Sequence, residues 1–259
     1  MTVTGAKPAG VQDEAQAARA VQQMFDSIAP RYDLLNHVLS ASVDRLWWWQ
    51  TARKFRAILA DPDAAVLDVC CGTGHMTRAL LKGRPRNARP VLAADFAREM
   101  LKRGKRRFSQ DDAGSPIAIP LEADALHLPL RIASLDLITT AFGFRNLANY
   151  EAGLREFARV LKPGGQIGIL DFSEPGGLMG KAYGFYFRHI LPTIGRIFTG
   201  PSAPGEVGPY SYLPASVQKF PSPPEMLRMM HDCGYVDCTW RPYTFGIAGL
   251  YSGVRAPNH

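Results

Sequence analysis

The sequence predicts an α/β fold built on a doubly wound, mostly parallel sheet of seven strands, and three observations predict it. From Ala64 onward, apolar strand-like runs alternate with stretches of helical periodicity, the pattern of successive βαβ units. The run from Val66 to Gly74 reads as a strand entering a glycine turn, with a helical pattern starting near His75. The next apolar run closes on Asp95, 21 residues after Gly74. A Rossmann-like sheet places an acid there, at the carboxyl end of its second strand.

Taken in order, residues 1–20 are small and polar and lack the apolar stretch of a secretory signal; they read as a flexible arm. Val21, Met24, Phe25 and Ile28 recur at i, i+3, i+4 and i+7, so a short amphipathic helix should end before Pro30. A second helix is expected over about Val43 to Leu59, with Trp48, Ala52, Phe55 and Leu59 as its core stripe. The two form a helical cap over 21–60. Five strands then follow in AAVLDVC, RPVLAAD, PIAIPL, SLDLITTAF and QIGILDF. Before the fifth, Tyr150, Leu154, Phe157 and Leu161 keep helical spacing until Lys162-Pro163-Gly164-Gly165, where proline and paired glycines stop the helix. A helix near Pro224 to Cys233 and strands at Tyr235 to Arg241 and Gly246 to Val254 complete one domain over 21–259. Residues 175–213 read as an insertion after strand 5. Its first part, 175–205, has no Asp or Glu while Lys181, Arg188 and Arg196 interrupt an aromatic-rich run.

Composition bounds the class. With 46% hydrophobic and 20% charged residues in a chain of 259, a soluble, cytoplasmic globular protein is expected. No run of about 18 apolar residues offers a membrane span. The net charge of +7 suits nucleic acid or lipid headgroups as neighbours, and equally accompanies proteins with no polyanionic partner. Cys70, Cys71, Cys233 and Cys238 lack CxxC spacing and accompanying histidines, which argues against zinc or disulfides and for buried thiols. No metal is expected.

The glycine turn carries the chemistry. Gly72 and Gly74 let a backbone approach a ligand, and the following helix start offers N–H groups to an anion. That pairing suits the methionine carboxylate of S-adenosylmethionine, with Asp68 facing its ammonium. Asp95 is placed for ribose hydroxyls, Asp124 for the adenine amino group, and Phe96 for the adenine face. The plain alternative is a structural turn with solvated acids; the spacing of two acids favours the ligand. In the register Gly72-x-Gly74-x-x-Thr77 the dinucleotide fingerprint lacks its last glycine, so a pyrophosphate is not cradled and a methyl donor fits better.

FDSIAPRYDLLNHVLS (25–40), VLDVCCGTG (66–74), DFAREML (95–101), AFGFRN (141–146) and RVLKPGGQ (159–166) stand in order along the chain. With these motifs the sequence resembles the ubiquinone/menaquinone biosynthesis C-methyltransferases over about residues 20–255. LDVCCGT and DFxxxML resemble the menaquinone branch. The resemblance implies a class I S-adenosylmethionine-dependent methyltransferase fold and methylation of a ring carbon of a polyprenylated quinol, demethylmenaquinol to menaquinol. The methoxy-benzoquinol of the ubiquinone pathway is the alternative acceptor. It implies that Thr73, Asp95, Asp124, Ala125 and Ala141 line the cofactor site while Tyr32, Arg145 and Asn146 face the reacting ring. Two departures stand out: the family often has Asp after GTG and Ser before FG, where this chain has His75 and Ala141. Ala141 keeps its backbone contacts and lacks a side-chain hydrogen bond. His75 reads either as a proton acceptor near the sulfonium or as a structural loop residue.

A ring carbon is nucleophilic only when electron-rich, so the acceptor must be the reduced hydroquinol. Ionising a phenol of pKa near 10 costs about 4 kcal/mol at pH 7. Arg145 would stabilise the developing phenolate or hold the water that takes its proton, Asn146 would orient either, and Tyr32 would relay the proton or pack on the ring. A structural ion pair is the alternative for Arg145. Because such an acceptor resides in a bilayer, Trp49 with Arg53 and Arg56, and the 175–205 insertion, are candidate peripheral membrane contacts. Covering a substrate tunnel or making a homodimer contact are their alternatives. A nucleic-acid methyltransferase is disfavoured because the basic residues are scattered. A non-catalytic subunit is disfavoured because Tyr32 and Arg145-Asn146 are retained.

Overall fold

The computed structural model describes residues 5–6, 13, 16, 19–23, 43–108, 115–173, 216–217 and 219–257. Tyr32, the apolar positions Met24, Phe25 and Ile28, and the 175–213 segment lie outside the described residues.

Among the described residues these helices and strands follow in chain order: α1 (Asp44–Lys54), α2 (Arg56–Leu59), β1 (Val66–Val69), α3 (His75–Leu81), β2 (Val91–Asp95), α4 (Arg98–Phe108), β3 (Ala118–Glu122), β4 (Leu135–Ala141), α5 (Tyr150–Val160), β5 (Leu161–Phe172), α6 (Pro223–Asp232), β6 (Tyr235–Tyr243) and β7 (Ala248–Arg255). The sheet order is β3-β2-β1-β4-β5-β7-β6. β7 runs antiparallel to β5 and β6, and the other pairings are parallel. The seven-stranded, doubly wound expectation therefore holds.

Burial explains the layers. β1 is buried at all four positions, as a central parallel strand covered on both faces must be. Val66 joins the core that α1 to α4 cover, with Trp48, Phe55, Leu59 and Leu80. Leu67 and Val69 join the opposite core, with Leu154 and Phe157 of α5 and Met226 and Met230 of α6. β3 is an edge strand and tolerates Pro120, which would break a central ladder.

Two boundaries differ from expectation. The predicted helix over Val43 to Leu59 is broken at Phe55 (φ −99°, ψ 18°) into α1 and α2. Its stripe is nevertheless buried, with Phe55 and Leu59 1% and 0% exposed. The helix before Lys162-Pro163-Gly164-Gly165 ends at Val160. The ladder then opens at Leu161↔Leu135 and resumes at Gln166↔Leu137, so the KPGG stretch is an irregularity inside β5.

The order reverses between β1 and β4. Ligands of open α/β sheets bind outside the carboxyl ends of the strands at such a switch point, and there the loops 70–74 and 142–146 emerge.

Candidate active site

The loop after β1 is wound by left-handed residues: Cys70 (φ 54°), Gly72 (φ 54°) and Gly74 (φ 81°). A Cβ on Gly72 would point into open space, whereas one on Gly74 would meet Phe108 Cε1 at 2.5 Å. Gly72 thus faces the ligand side and Gly74 the packing side. The facing loop approaches closely, since a Cβ on Gly143 would stand 2.3 Å from Cys70 Cβ.

A cleft of about 730 Å³ opens here, lined by Gly72, Asp95, Phe96, Asp124, Ala125, Ala141 and Asn146. A smaller chamber of about 390 Å³, lined by Trp48, Asp68, Thr73, His75 and Met76, adjoins it. Cys70, Gly72, Ala141 and Phe142 line both. Every sequence-predicted cofactor residue except Gly74 therefore reaches one of the two hollows.

The acids differ in setting. Asp95 accepts from the N–H of Gly72 at 2.7 Å through Oδ2 and from that of Ala97 at 2.8 Å through Oδ1, tying the two cofactor-side loops together. Asp124 accepts from the Leu126 N–H at 2.9 Å, and its other oxygen lies 3.0 Å from His127 Nδ1. Asp68 lies beneath the loop, fully buried, accepting from Thr77 Oγ1 at 2.6 Å and Thr139 Oγ1 at 3.0 Å. These two hydroxyls brace the carboxylate at the wall of the smaller chamber, where an ammonium contact remains its expected part. Phe96 presents its carbonyl to Gln22 Nε2 at 2.7 Å, which ties the N-terminal segment to the cleft. Thr73 is buried, with its carbonyl accepting from Arg107 Nη1 at 3.1 Å.

Burial pushes the Asp68 carboxyl up to about 7; the hydroxyls of Thr77 and Thr139 oppose the rise and the Asp95 charge adds to it. A carboxyl whose folded pKa exceeds its unfolded value holds its proton across the window from about 4 to 7. Its contribution to stability is full below that window and is lost as pH rises through it. The melting temperature should therefore fall from pH 5 to pH 8, and Asp68→Asn should flatten that slope. Superimposable profiles of the two proteins would refute the assignment.

The thiols of Cys70 and Cys71 are pushed well up by burial and by the carboxylates of Asp95 and Asp68, so neither suits a nucleophilic role. All four cysteines are free, Cys71 and Cys233 buried and the other two half-buried.

Beyond β4, Arg145 is 6% exposed and its guanidinium is engaged: Nη1 donates to Asp171 Oδ1 at 2.8 Å and to the Phe142 carbonyl. Its backbone N–H donates to Asp171 Oδ2 at 3.1 Å. The structural ion pair left open by the sequence is thus present. Asn146 lines the cleft, with Nδ2 donating to the Phe142 carbonyl at 3.4 Å. His75 stacks on Trp48, centroids 4.6 Å apart and planes 10° from parallel, and also lines the smaller chamber. Two residues missed by sequence reasoning belong here. Asp171 carries a visible signal, a carboxylate inside the apolar run QIGILDF. Phe142 stands inside the AFGFRN motif, but its left-handed backbone (φ 60°) is set by tertiary ties that the motif does not show.

Residues 11–255 match the ubiE/COQ5 methyltransferase family. The chain is 42% identical over 257 residues to a Deinococcus radiodurans protein named demethylmenaquinone methyltransferase, covering 98% of this chain and all of that one. A Thermus thermophilus protein of the same name is 40% identical, covering 90% and 100% of the two chains. A Geotalea daltonii protein named ubiquinone/menaquinone biosynthesis C-methyltransferase is 38% identical, covering 91% and 96%. Among solved structures, a SAM-dependent methyltransferase from Thermotoga maritima superposes with a TM-score of 0.58 at 14% identity, covering 91% and 99%. One from Aquifex aeolicus gives 0.51 at 19%, covering 80% and 97%. These two likenesses are of fold alone. The match over nearly the whole length, to a family and to relatives that align end to end, shows that the chain belongs to the ubiE/COQ5 methyltransferase family.

Proposed function

We propose that this enzyme transfers the methyl group of S-adenosylmethionine to a ring carbon of a polyprenylated hydroquinol, with demethylmenaquinol as the acceptor. The observation that supports this most is the end-to-end likeness to proteins named for that reaction, combined with a two-chambered hollow at the switch point.

The residues present fit the donor. Gly72 leaves open space where a side chain would intrude. The cleft walls are apolar at Phe96, Ala125 and Ala141 and acidic at Asp95 and Asp124. Asp95 would hold the ribose hydroxyls, Asp124 the adenine amino group and Phe96 the adenine face. The buried Asp68, ionised, would add negative potential opposite a cationic ligand. When bound, S-adenosylmethionine supplies an electrophilic methyl on sulfonium. The hydroquinol carbon would take that methyl as the sulfonium C–S bond breaks to leave S-adenosylhomocysteine, and the ring would then pass its proton at that carbon to a water or the proposed relay.

The protein's task is to place the ring and to lower the cost of ionising its phenol. Asn146, on the cleft wall, would donate to the phenol oxygen. Arg145 is tied to Asp171, so its part is to shape the loop, and Tyr32 remains the proposed proton relay. No step requires a metal.

An assay with labelled methyl donor against demethylmenaquinol, a methoxy-benzoquinol and bulk RNA tests this. Label is expected in demethylmenaquinol, and label confined to RNA would overturn the reading. The benzoquinol is the second acceptor to test, because one relative carries both pathways in its name.

Access to a membrane-dissolved acceptor favours a peripheral docking face on α1. Trp49 is 52% exposed, the Arg53 guanidinium lies 5.2 Å over its ring, and Arg56 is exposed beside them. Aromatic and cationic groups so placed suit the headgroup region. Among the described residues, no helix is long and apolar enough to cross a membrane. Flotation with anionic liposomes at low salt should recover the wild type, and Trp49→Ala/Arg53→Glu should reduce recovery. Equal recovery would remove the docking face.

A further inference from the structure

Phe142 is a bulky residue held at φ 60°, a conformation rare for such side chains and found where surroundings enforce it for a purpose. The enforcing ties are visible. Its N–H donates to the Leu170 carbonyl at 2.8 Å, extending the β4–β5 pairing one residue past β4. Its carbonyl accepts from Arg145 Nη1 and from Asn146 Nδ2. Arg145 is itself fixed at both side chain and backbone by Asp171, which is wholly buried and also accepts from the Phe172 N–H at 2.9 Å. A chain of contacts therefore runs from a carboxylate near the end of β5, through a guanidinium, to one strained peptide.

The consequence is the position of a ring. Phe142 packs against Phe172 at 4.6 Å and Trp47 at 5.9 Å between centroids. Of the four residues that line both hollows, it is the one with an aromatic side chain. Phe142 therefore borders both the cleft and the adjoining chamber. An aromatic acceptor there finds a preset ring to stack on, and offset or edge contact between rings adds to simple burial.

We propose that Phe142 is the platform against which the acceptor's aromatic nucleus packs, and that Asp171 is a positioning residue that acts through Arg145 to hold it there. This rests on the reading of the acceptor as a hydroquinol. Nothing in the contacts makes Asp171 touch the reacting atoms. Its effect is transmitted through the Phe142 peptide.

The test is a set of kinetic constants for a short-chain demethylmenaquinol kept reduced by dithionite, with cofactor affinity measured alongside by calorimetry. Phe142→Leu should raise KM for the acceptor about tenfold, as the loss of a ring contact implies, while Phe142→Tyr keeps it near wild type and both bind cofactor normally. Asp171→Asn in the wild-type background should lower kcat/KM on the order of 100-fold. In a Phe142→Gly background, where glycine takes the left-handed backbone unaided, the same change should cost less than about threefold, because coupled residues are not additive. Equal losses in the two backgrounds would make Asp171 a merely structural partner and overturn its role. An unchanged acceptor KM in Phe142→Leu would overturn the platform, and this pair of variants leaves the ion pair intact and so stands even where Asp171→Asn does not fold. A wild type that methylates no hydroquinol at all would overturn the acceptor reading and this proposal together, an outcome distinct from either failure above.

Discussion

Asp95→Ala is expected to weaken S-adenosylmethionine binding by about 10- to 100-fold, the effect of losing a charge-assisted hydrogen bond of about 1.5–3 kcal/mol. Two causes act together. The variant removes the acceptor proposed for the ribose hydroxyls, and it releases the N–H groups of Gly72 and Ala97 that the carboxylate now holds at 2.7 and 2.8 Å. The first acts on the ligand and the second on the loop that must be in place before the ligand arrives. Asp95→Asn separates them, since its amide oxygen still accepts from one loop while the charge is gone; its affinity should fall between those of wild type and Asp95→Ala. Calorimetric titration measures both. An unchanged dissociation constant in Asp95→Ala would refute the ribose assignment.

Arg145→Ala is expected to lower the melting temperature by about 10 °C. Removing one partner of a buried ion pair costs about 3–5 kcal/mol, because the other charge is left desolvated, and each kcal/mol is worth roughly 2–4 °C in a domain of this size. Here the stranded group is Asp171, with none of its surface exposed. From the sequence alone, loss of methylation with intact cofactor affinity would be the natural expectation for this variant. The ion pair adds a stability cost that activity measurements have to be corrected for. Arg145→Met/Asp171→Leu is the informative companion: it removes both charges, so much of the lost stability should return while methylation stays impaired through the loosened Phe142 peptide. Thermal melts of the three proteins decide this. Equal melting temperatures for wild type and Arg145→Ala would show that the pair is not energetically coupled to the fold.

The seven strands, the glycine loop and the acids at the strand ends were legible because each depends on residues close together in the chain. Apolar runs and helical spacing report burial directly, and in a doubly wound sheet the ends of successive strands are brought to one edge whatever the details. Asp95 and Asp124 could therefore be placed from spacing alone, and both stand at the cleft. The motifs at 66–74 and 141–146 likewise identified the family. Asp68 was legible as a loop acid, but its direction was not: whether a carboxylate points out of a loop or under it depends on Thr77 and Thr139, which only packing brings to it.

The sequence by itself determined the fold class and the family and pointed to the candidate site, since periodicity and motif order are local properties. Tertiary structure alone decided which groups Arg145 and His75 meet. Arg145 meets a partner 26 residues away because β4 and β5 lie side by side, and His75 is stacked because α1 lays Trp48 over it. A charged or aromatic side chain takes its role from the partner it meets on desolvation. That partner is chosen by which strands and helices become neighbours, which no window of the sequence contains.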